Sequence, residues 1–113
     1  MRMVTLGVAS REDTNKRFLD AFDAKQQGAF ISFESPDVLF KVFTGYRWKL
    51  LKMMAGAGAM SIREASRRVN RDVKAVHGDV TALLAAGILQ KTADGRVEFP
   101  YDAIHIDFLL QAA

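Results

Sequence analysis

Two periods of apolar spacing alternate along this chain, and the places where one gives way to the other mark its elements. Residues 3–8 (MVTLGV) and 29–34 (AFISFE) alternate loosely and are rich in β-formers, which predicts two short strands. Between them Ser10, with Glu12 and Asp13 in the first turn, opens a helix expected to run to about Gln27 and stop at Gly28, with Phe18, Ala21 and Phe22 as its apolar stripe. Ser35-Pro36 starts the next helix, proline standing where its missing N–H is harmless, and Val38, Leu39, Val42 and Phe43 form the inner face. Thr44 is placed to cap a further helix through Ala55, which buries Trp48, Leu51, Met54 and Ala55 and leaves Arg47, Lys49 and Lys52 outward or along its flank.

The stretch around which the rest is organised is Ser61–Leu89. Ser61 and Glu64 have capping-box spacing: the serine oxygen can accept from the Glu64 N–H, and the glutamate can reach back to the N–H of Ser61. Ile62, Ala65 and Val69 share one face of a short helix, away from Arg63, Arg67 and Arg68. Asn70-Arg71-Asp72 is a turn, and Asp72 is the N-cap of a helix that buries Val73, Val76, Val80, Leu83 and Leu84 and ends at Gly87. The other face of that helix carries Lys74, Ala75, His77, Gly78 and Thr81, all small or polar. Two short helices across a tight turn, the second with a face free of bulky apolar groups, read as a helix-turn-helix.

Strands at 88–92 and 96–99 flank Ala93-Asp94-Gly95, and Asp-Gly signals a hairpin because its turn needs positive φ. A hairpin directly after a reading helix is the wing of a winged helix. Beyond Pro100, residues 103–110 (AIHIDFLL) alternate Ile104, Ile106 and Phe108 with His105 and Asp107. An unpaired apolar strand is a sticky edge, so this one is expected to pair with residues 4–8 or 30–33, within a subunit or across a dimer.

The runs Ser61-Ile62-Arg63-Glu64, Arg71-Asp72-Val73-Lys74, Val76-His77, Asp79-Val80, Leu83, Gly87-Ile88 and Phe99-Pro100-Tyr101-Asp102, with Phe33-Glu34-Ser35 and Arg47-Trp48-Lys49-Leu50-Leu51 upstream, carry a family likeness. Together they resemble the winged-helix regulators of the MarR/ArsR type, and more narrowly a group of small MarR-like DNA-binding proteins that includes predicted antitoxins of toxin–antitoxin operons. The resemblance covers nearly the whole chain. It implies a DNA-binding transcriptional regulator that represses its own operon or, as the alternative, an antitoxin that binds and neutralises a toxin. The chain departs from the pattern at Ala65-Ser66, where a leucine and an alanine are usual, which thins the core under the second helix. Gly78 stands mid-helix where a larger polar residue is common, at a helix cost of about 1 kcal/mol. Thr44-Gly45 replaces a common Thr-Pro.

Composition bounds these expectations. A chain of 113 residues, half of them apolar, supports one domain with a modest core. No apolar run approaches a membrane span, the first ten residues lack the long apolar region of a signal peptide, and there is no cysteine. A soluble cytoplasmic protein is expected. The net charge of +3 is small, and its placement matters more. Between Ser61 and Arg96 seven bases (Arg63, Arg67, Arg68, Arg71, Lys74, Lys91, Arg96) face four acids (Glu64, Asp72, Asp79, Asp94), while elsewhere nine bases balance nine acids. The excess sits on the reading segment, as a polyanion partner requires, with a solvated, mildly basic surface as the alternative.

Catalytic chemistry finds no footing. His77 and His105 are far apart in sequence; each heads a His-x-Asp, and two ligands do not make a metal site. No glycine-rich phosphate loop follows a strand, and no serine stands in a nucleophile elbow. No enzyme, cofactor or metal is expected. The expected fold is α+β: an N-terminal strand-helix-strand extension over 1–35, a winged helix-turn-helix over 36–101 and a C-terminal strand over 102–113. Arg63, Arg67 and Arg68 are candidates for phosphates flanking the groove, with a solvated helix face as the alternative. Arg71 and Lys74 are candidates for backbone or base contact at the turn. Ala75, His77, Gly78 and Thr81 lie on the reading face, with solvent exposure without base contact as the alternative for His77 and Thr81, and Arg96 stands beside the wing. Asp79 is expected to pin an arginine. Phe18, Phe22, Ile104, Ile106 and Phe108 are the candidate surface for a homodimer or a protein partner, with packing inside the monomer as the alternative for the two N-terminal phenylalanines.

Overall fold

A computed structural model of the chain describes residues 2–8 and 29–107. The expected helix after Ser10, with Phe18 and Phe22, and the position of Phe108 lie outside the described residues. What is described is an α+β fold with four helices, a three-stranded sheet and a two-stranded hairpin. In order these are β1 (Met3–Val8), β2 (Ala29–Phe33), α1 (Pro36–Val42), α2 (Gly45–Met54), α3 (Ile62–Val69), α4 (Val73–Ala85), β3 (Gln90–Lys91), β4 (Val97–Glu98) and β5 (Ala103–Asp107). Contacts divide the chain into a sheet unit, 1–41 with 103–113, and a helical unit, 42–102.

In the sheet unit the strand order is β2-β1-β5, and β1 is parallel to both neighbours. The last strand does pair with the first, Val4 beside Ile104 and Leu6 beside Ile106, within one chain. The register gathers Val4, Leu6, Ile31, Phe33, Ile104 and Ile106 on one face, and sets Thr5 between Phe30 and His105 on the other. A central parallel strand is covered on both sides, so even Thr5 on β1 is buried with Val4 and Leu6. Gly7 sits in close approach: a Cβ there would lie 2.7 Å from the tip of the Phe30 ring, so any other residue must displace that ring. Ser35 opens α1, its Oγ accepting from the Val38 N–H at 3.3 Å, with Pro36 at the first helical position as expected. Val38 departs from expectation and is exposed, because on so short a helix Leu39 alone occupies the buried line.

The helical unit is assembled from capped, sharply ended helices. Thr44 Oγ1 accepts from Arg47 N–H at 3.4 Å, Ser61 Oγ from Glu64 N–H at 3.1 Å, and an Asp72 carboxylate oxygen from Lys74 N–H at 3.1 Å, so each foreseen N-cap is in place. Both α3 and α4 stop through the same device. Asn70 (φ 55°) and Gly87 (φ 80°) turn left-handed, and the next N–H bonds back to the carbonyl five residues earlier, Arg71 to Ser66 at 3.1 Å and Ile88 to Leu83 at 3.0 Å. Leu83 and Ile88 are both fully buried, the apolar contact that accompanies this motif. Val76, Val80 and Leu83 carry the inner line of α4, while Val73 is exposed: a helical side chain leans over the preceding turn, and the first residue has none. Trp48 is only half-buried and lies against Phe43 with ring centroids 5.0 Å apart, while Leu50, which the pattern did not single out, is fully buried.

The hairpin is shorter than its sequence pattern, because Ile88 and Leu89 are used in ending α4. Gln90 faces Glu98 and Lys91 faces Val97 around a loop in which Gly95 (φ 83°) takes the positive-φ position. Val97 has a second neighbour that the sequence did not announce. Met60, at the end of the Gly/Ala loop, exchanges both backbone hydrogen bonds with it at 2.9 Å. The hairpin is thereby tied to the residue just before the Ser61 cap of α3.

Candidate nucleic-acid interface

The exposed side of α4 is built by its own periodicity. With Val76, Val80 and Leu83 inward, Lys74, Ala75, His77, Gly78 and Thr81 all emerge into solvent, the set expected from the sequence. Thr81 Oγ1 donates to the His77 carbonyl at 2.8 Å, which fixes its rotamer. Around Gly78 a Cβ would meet nothing within 4 Å, so no packing inside the described chain asks for glycine there. Arg63 is exposed on α3 and Arg96 on the hairpin.

The acids of this segment are all engaged. Glu64 does not reach back to the Ser61 N–H as the capping box allows. Its two oxygens instead accept from Arg68 Nε at 2.9 Å and from Arg67, because two guanidinium groups one turn on outcompete a neutral N–H. The Arg68 hydrogen bond and then the charge of Arg67 hold the Glu64 carboxyl below the ordinary range. Asp94 accepts from the Thr92 hydroxyl and from Arg96 Nε at 2.8 Å, and those bonds, in that order, lower its pKa as well. Arg96 also reaches the Ala59 carbonyl at 3.4 Å. Asp72 caps α4.

Asp79 pins arginines, as expected, but two of them. Oδ1 accepts from Arg47 Nε at 3.0 Å and Oδ2 from an Arg71 terminal nitrogen at 2.7 Å. The Arg71 guanidinium carbon lies 4.2 Å from the centre of the Tyr46 ring, a cation–π contact. The Arg71 backbone is closed on both sides by Ser66, whose carbonyl accepts its N–H and whose hydroxyl donates to its carbonyl. Arg71 is therefore half-buried at a junction. Arg63, Lys74 and Lys91 are the cations of Ser61–Arg96 with no carboxylate partner among the described residues.

Tyr46 and Arg47 are the members of this Asp79 junction that sequence reasoning did not include. They begin a helix some thirty residues upstream of Asp79, and only the folded packing brings them to it. His77 and His105 fall in different units, and among the described residues no group of three or more His, Asp or Glu gathers in metal-holding geometry. No described helix is long and apolar enough to cross a membrane. The protein family HVO_A0114 matches residues 42–106, from the end of α1 into β5 and more than half of the chain. No curated protein and no solved structure matches the chain.

Proposed function

The chain belongs to the HVO_A0114 family, and we propose that it is a sequence-specific DNA-binding transcriptional regulator, a cytoplasmic repressor built on a winged helix-turn-helix and acting as a homodimer. In this reading α4 enters the major groove, with Lys74 and His77 toward base edges or phosphates and Thr81 further along the same face. Arg63 and Lys91 neutralise flanking phosphates, and the hairpin carrying Arg96 lies along the backbone as the wing. Two copies read half-sites about 34 Å apart.

The observation that carries the reading is the selective pairing of charge. All four acids of Ser61–Arg96 are spent on arginines or on a helix cap, while Arg63 of α3, Lys74 of α4 and Lys91 of β3 are exposed and have no carboxylate partner among the described residues.

The test is selection of duplexes from a random library by the intact protein, followed by anisotropy titrations at several salt concentrations. Lys74→Ala and Arg63→Ala are each expected to weaken binding and to reduce the salt slope by about one unit, without loss of folding. Unchanged affinity in both variants removes α4 as the reader. Light scattering on the free protein checks the dimer.

A further inference from the structure

The most connected polar cluster of the helical unit stands behind the reading face. Each oxygen of Asp79 is committed to a different arginine, Arg47 of α2 at 3.0 Å and Arg71 of the turn at 2.7 Å, and these three side chains are only 14–21% exposed. One carboxylate on α4 thus joins the helix before the loop, the turn and the reading helix. Arg71 is held a second time by the Tyr46 ring and a third by Ser66.

On charge alone an aspartate here opposes DNA. It sits one residue from Gly78 on the proposed reader, where a negative charge repels phosphates and cancels part of the field of Arg71 and Arg47. We propose that Asp79 is a positioning residue for DNA recognition: its two-arginine bridge sets the angle of α4 against α2 and holds Arg71 in one orientation, at the cost of electrostatic attraction. The inference rests on reading α4 as the DNA-contacting helix. It separates two quantities that a plain basic surface moves together, because removing the acid should loosen specific binding and tighten non-specific binding.

Asp79→Asn is the discriminating change. Asparagine has the same shape but turns one acceptor oxygen into an NH2 that faces a guanidinium N–H, so one of the two bridges must open. The intact variant is titrated with a duplex enriched by the wild-type protein and with poly(dI-dC). Affinity for the enriched duplex should fall about tenfold, the size of one lost bidentate contact. Affinity for poly(dI-dC) should rise roughly twofold, as one added positive charge predicts. Asp79→Glu, which keeps both acceptors, should stay nearer the wild type. Enriched-duplex binding that is equal or tighter in Asp79→Asn overturns the proposal, since the acid then acts as charge alone.

If Asp79→Asn does not fold, Arg47→Gln opens the α2 bridge from a residue outside the proposed contacts. It should lose about tenfold on the enriched duplex and at most about twofold on poly(dI-dC), and equal losses on both overturn the inference. Should the wild-type protein enrich no duplex, the DNA reading itself fails. Hydrogen exchange of the free protein then decides the bridge: faster exchange across the first half of α4 in Asp79→Asn upholds the joint, and unchanged exchange overturns it.

Discussion

Glu64 and Asp79 stand on successive helices, and each holds two arginines, yet the two arrangements differ in reach. Glu64 draws its partners from its own helix, three and four residues on, and the side chains involved remain substantially in solvent. Asp79 takes one partner from eight residues upstream and the other from thirty-two, and closes them into a half-buried joint with an aromatic ring over one of them. The first pairing decorates a helix that its cap and its apolar face already hold. The second connects three segments. Counting ion pairs would score them equally; solvent access and chain separation say which bears on stability.

Removing each carboxylate tests that difference most directly. Asp79→Ala is expected to destabilise the protein by about 2 kcal/mol in urea unfolding, between the values for exposed and fully buried pairs. Glu64→Ala should leave the midpoint essentially where it was. Equal shifts would erase the distinction.

The turn between the two helices offers a finer test, because Asp79 reaches it through Arg71. Ser66→Ala removes the hydroxyl that bonds the Arg71 carbonyl and should cost about 1 kcal/mol, more than its small loss of volume suggests. Asn70→Ala should cost a similar ~1 kcal/mol for a side chain forced into left-handed backbone, whereas Asn70→Gly should be nearly neutral. A larger loss in Asn70→Gly than in Asn70→Ala would mean that the asparagine side chain, not its backbone tolerance, is what the turn uses.

On the outer face of α4 the sign of the expected effect reverses. Gly78→Ala meets open space and improves helix propensity, so it should raise stability by about 1 kcal/mol. If DNA comes close there, the same variant binds an enriched duplex more weakly, and anisotropy reports the opposite direction to urea. The smallest effect belongs to Glu64. Its folded-state pKa is depressed by Arg68 and Arg67, so whatever stability it lends is complete above the unfolded value and is lost as pH falls through the folded value. The loss lies in acid, below about pH 4, and leaves neutral pH untouched. An NMR titration of the Glu64 carboxyl should show a midpoint below that of an unstructured glutamate, returning toward it in an Arg67→Gln/Arg68→Gln variant.

Local chemistry was the legible part of this molecule. Ser35, Thr44, Ser61 and Asp72 at helix starts, Asn70 in the turn, Gly87 as a stop and Gly95 in its turn each act within a few residues, and side-chain oxygen or permissible φ announces them. The outer face of α4 was legible for the same reason. What the pattern could not carry was choice among distant partners. The last strand had to pair, but nothing in AIHIDFLL selects β1 over β2 or a parallel sense over an antiparallel one. Asp79 was recognisable as a carboxylate in want of an arginine, while Arg47 and Tyr46 sit at the start of a helix whose own pattern is explained without it. Met60 shows the same limit, since a residue in a Gly/Ala loop gives no local sign that its backbone bonds to Val97.

The order of strands in the sheet also has a consequence in time. The helical unit is one uninterrupted stretch, but the sheet unit is written in two pieces, with Val4 and Ile104 adjacent in space and about a hundred residues apart in the chain. Contacts that distant form late, because the loop they close must first be gathered. During synthesis the residues that cap, stop and line α3 and α4 are all made before residues 103–107, the second neighbour of β1. The proposed reader is therefore expected to acquire its shape first, with the sheet sealed only when residues 103–107 have emerged.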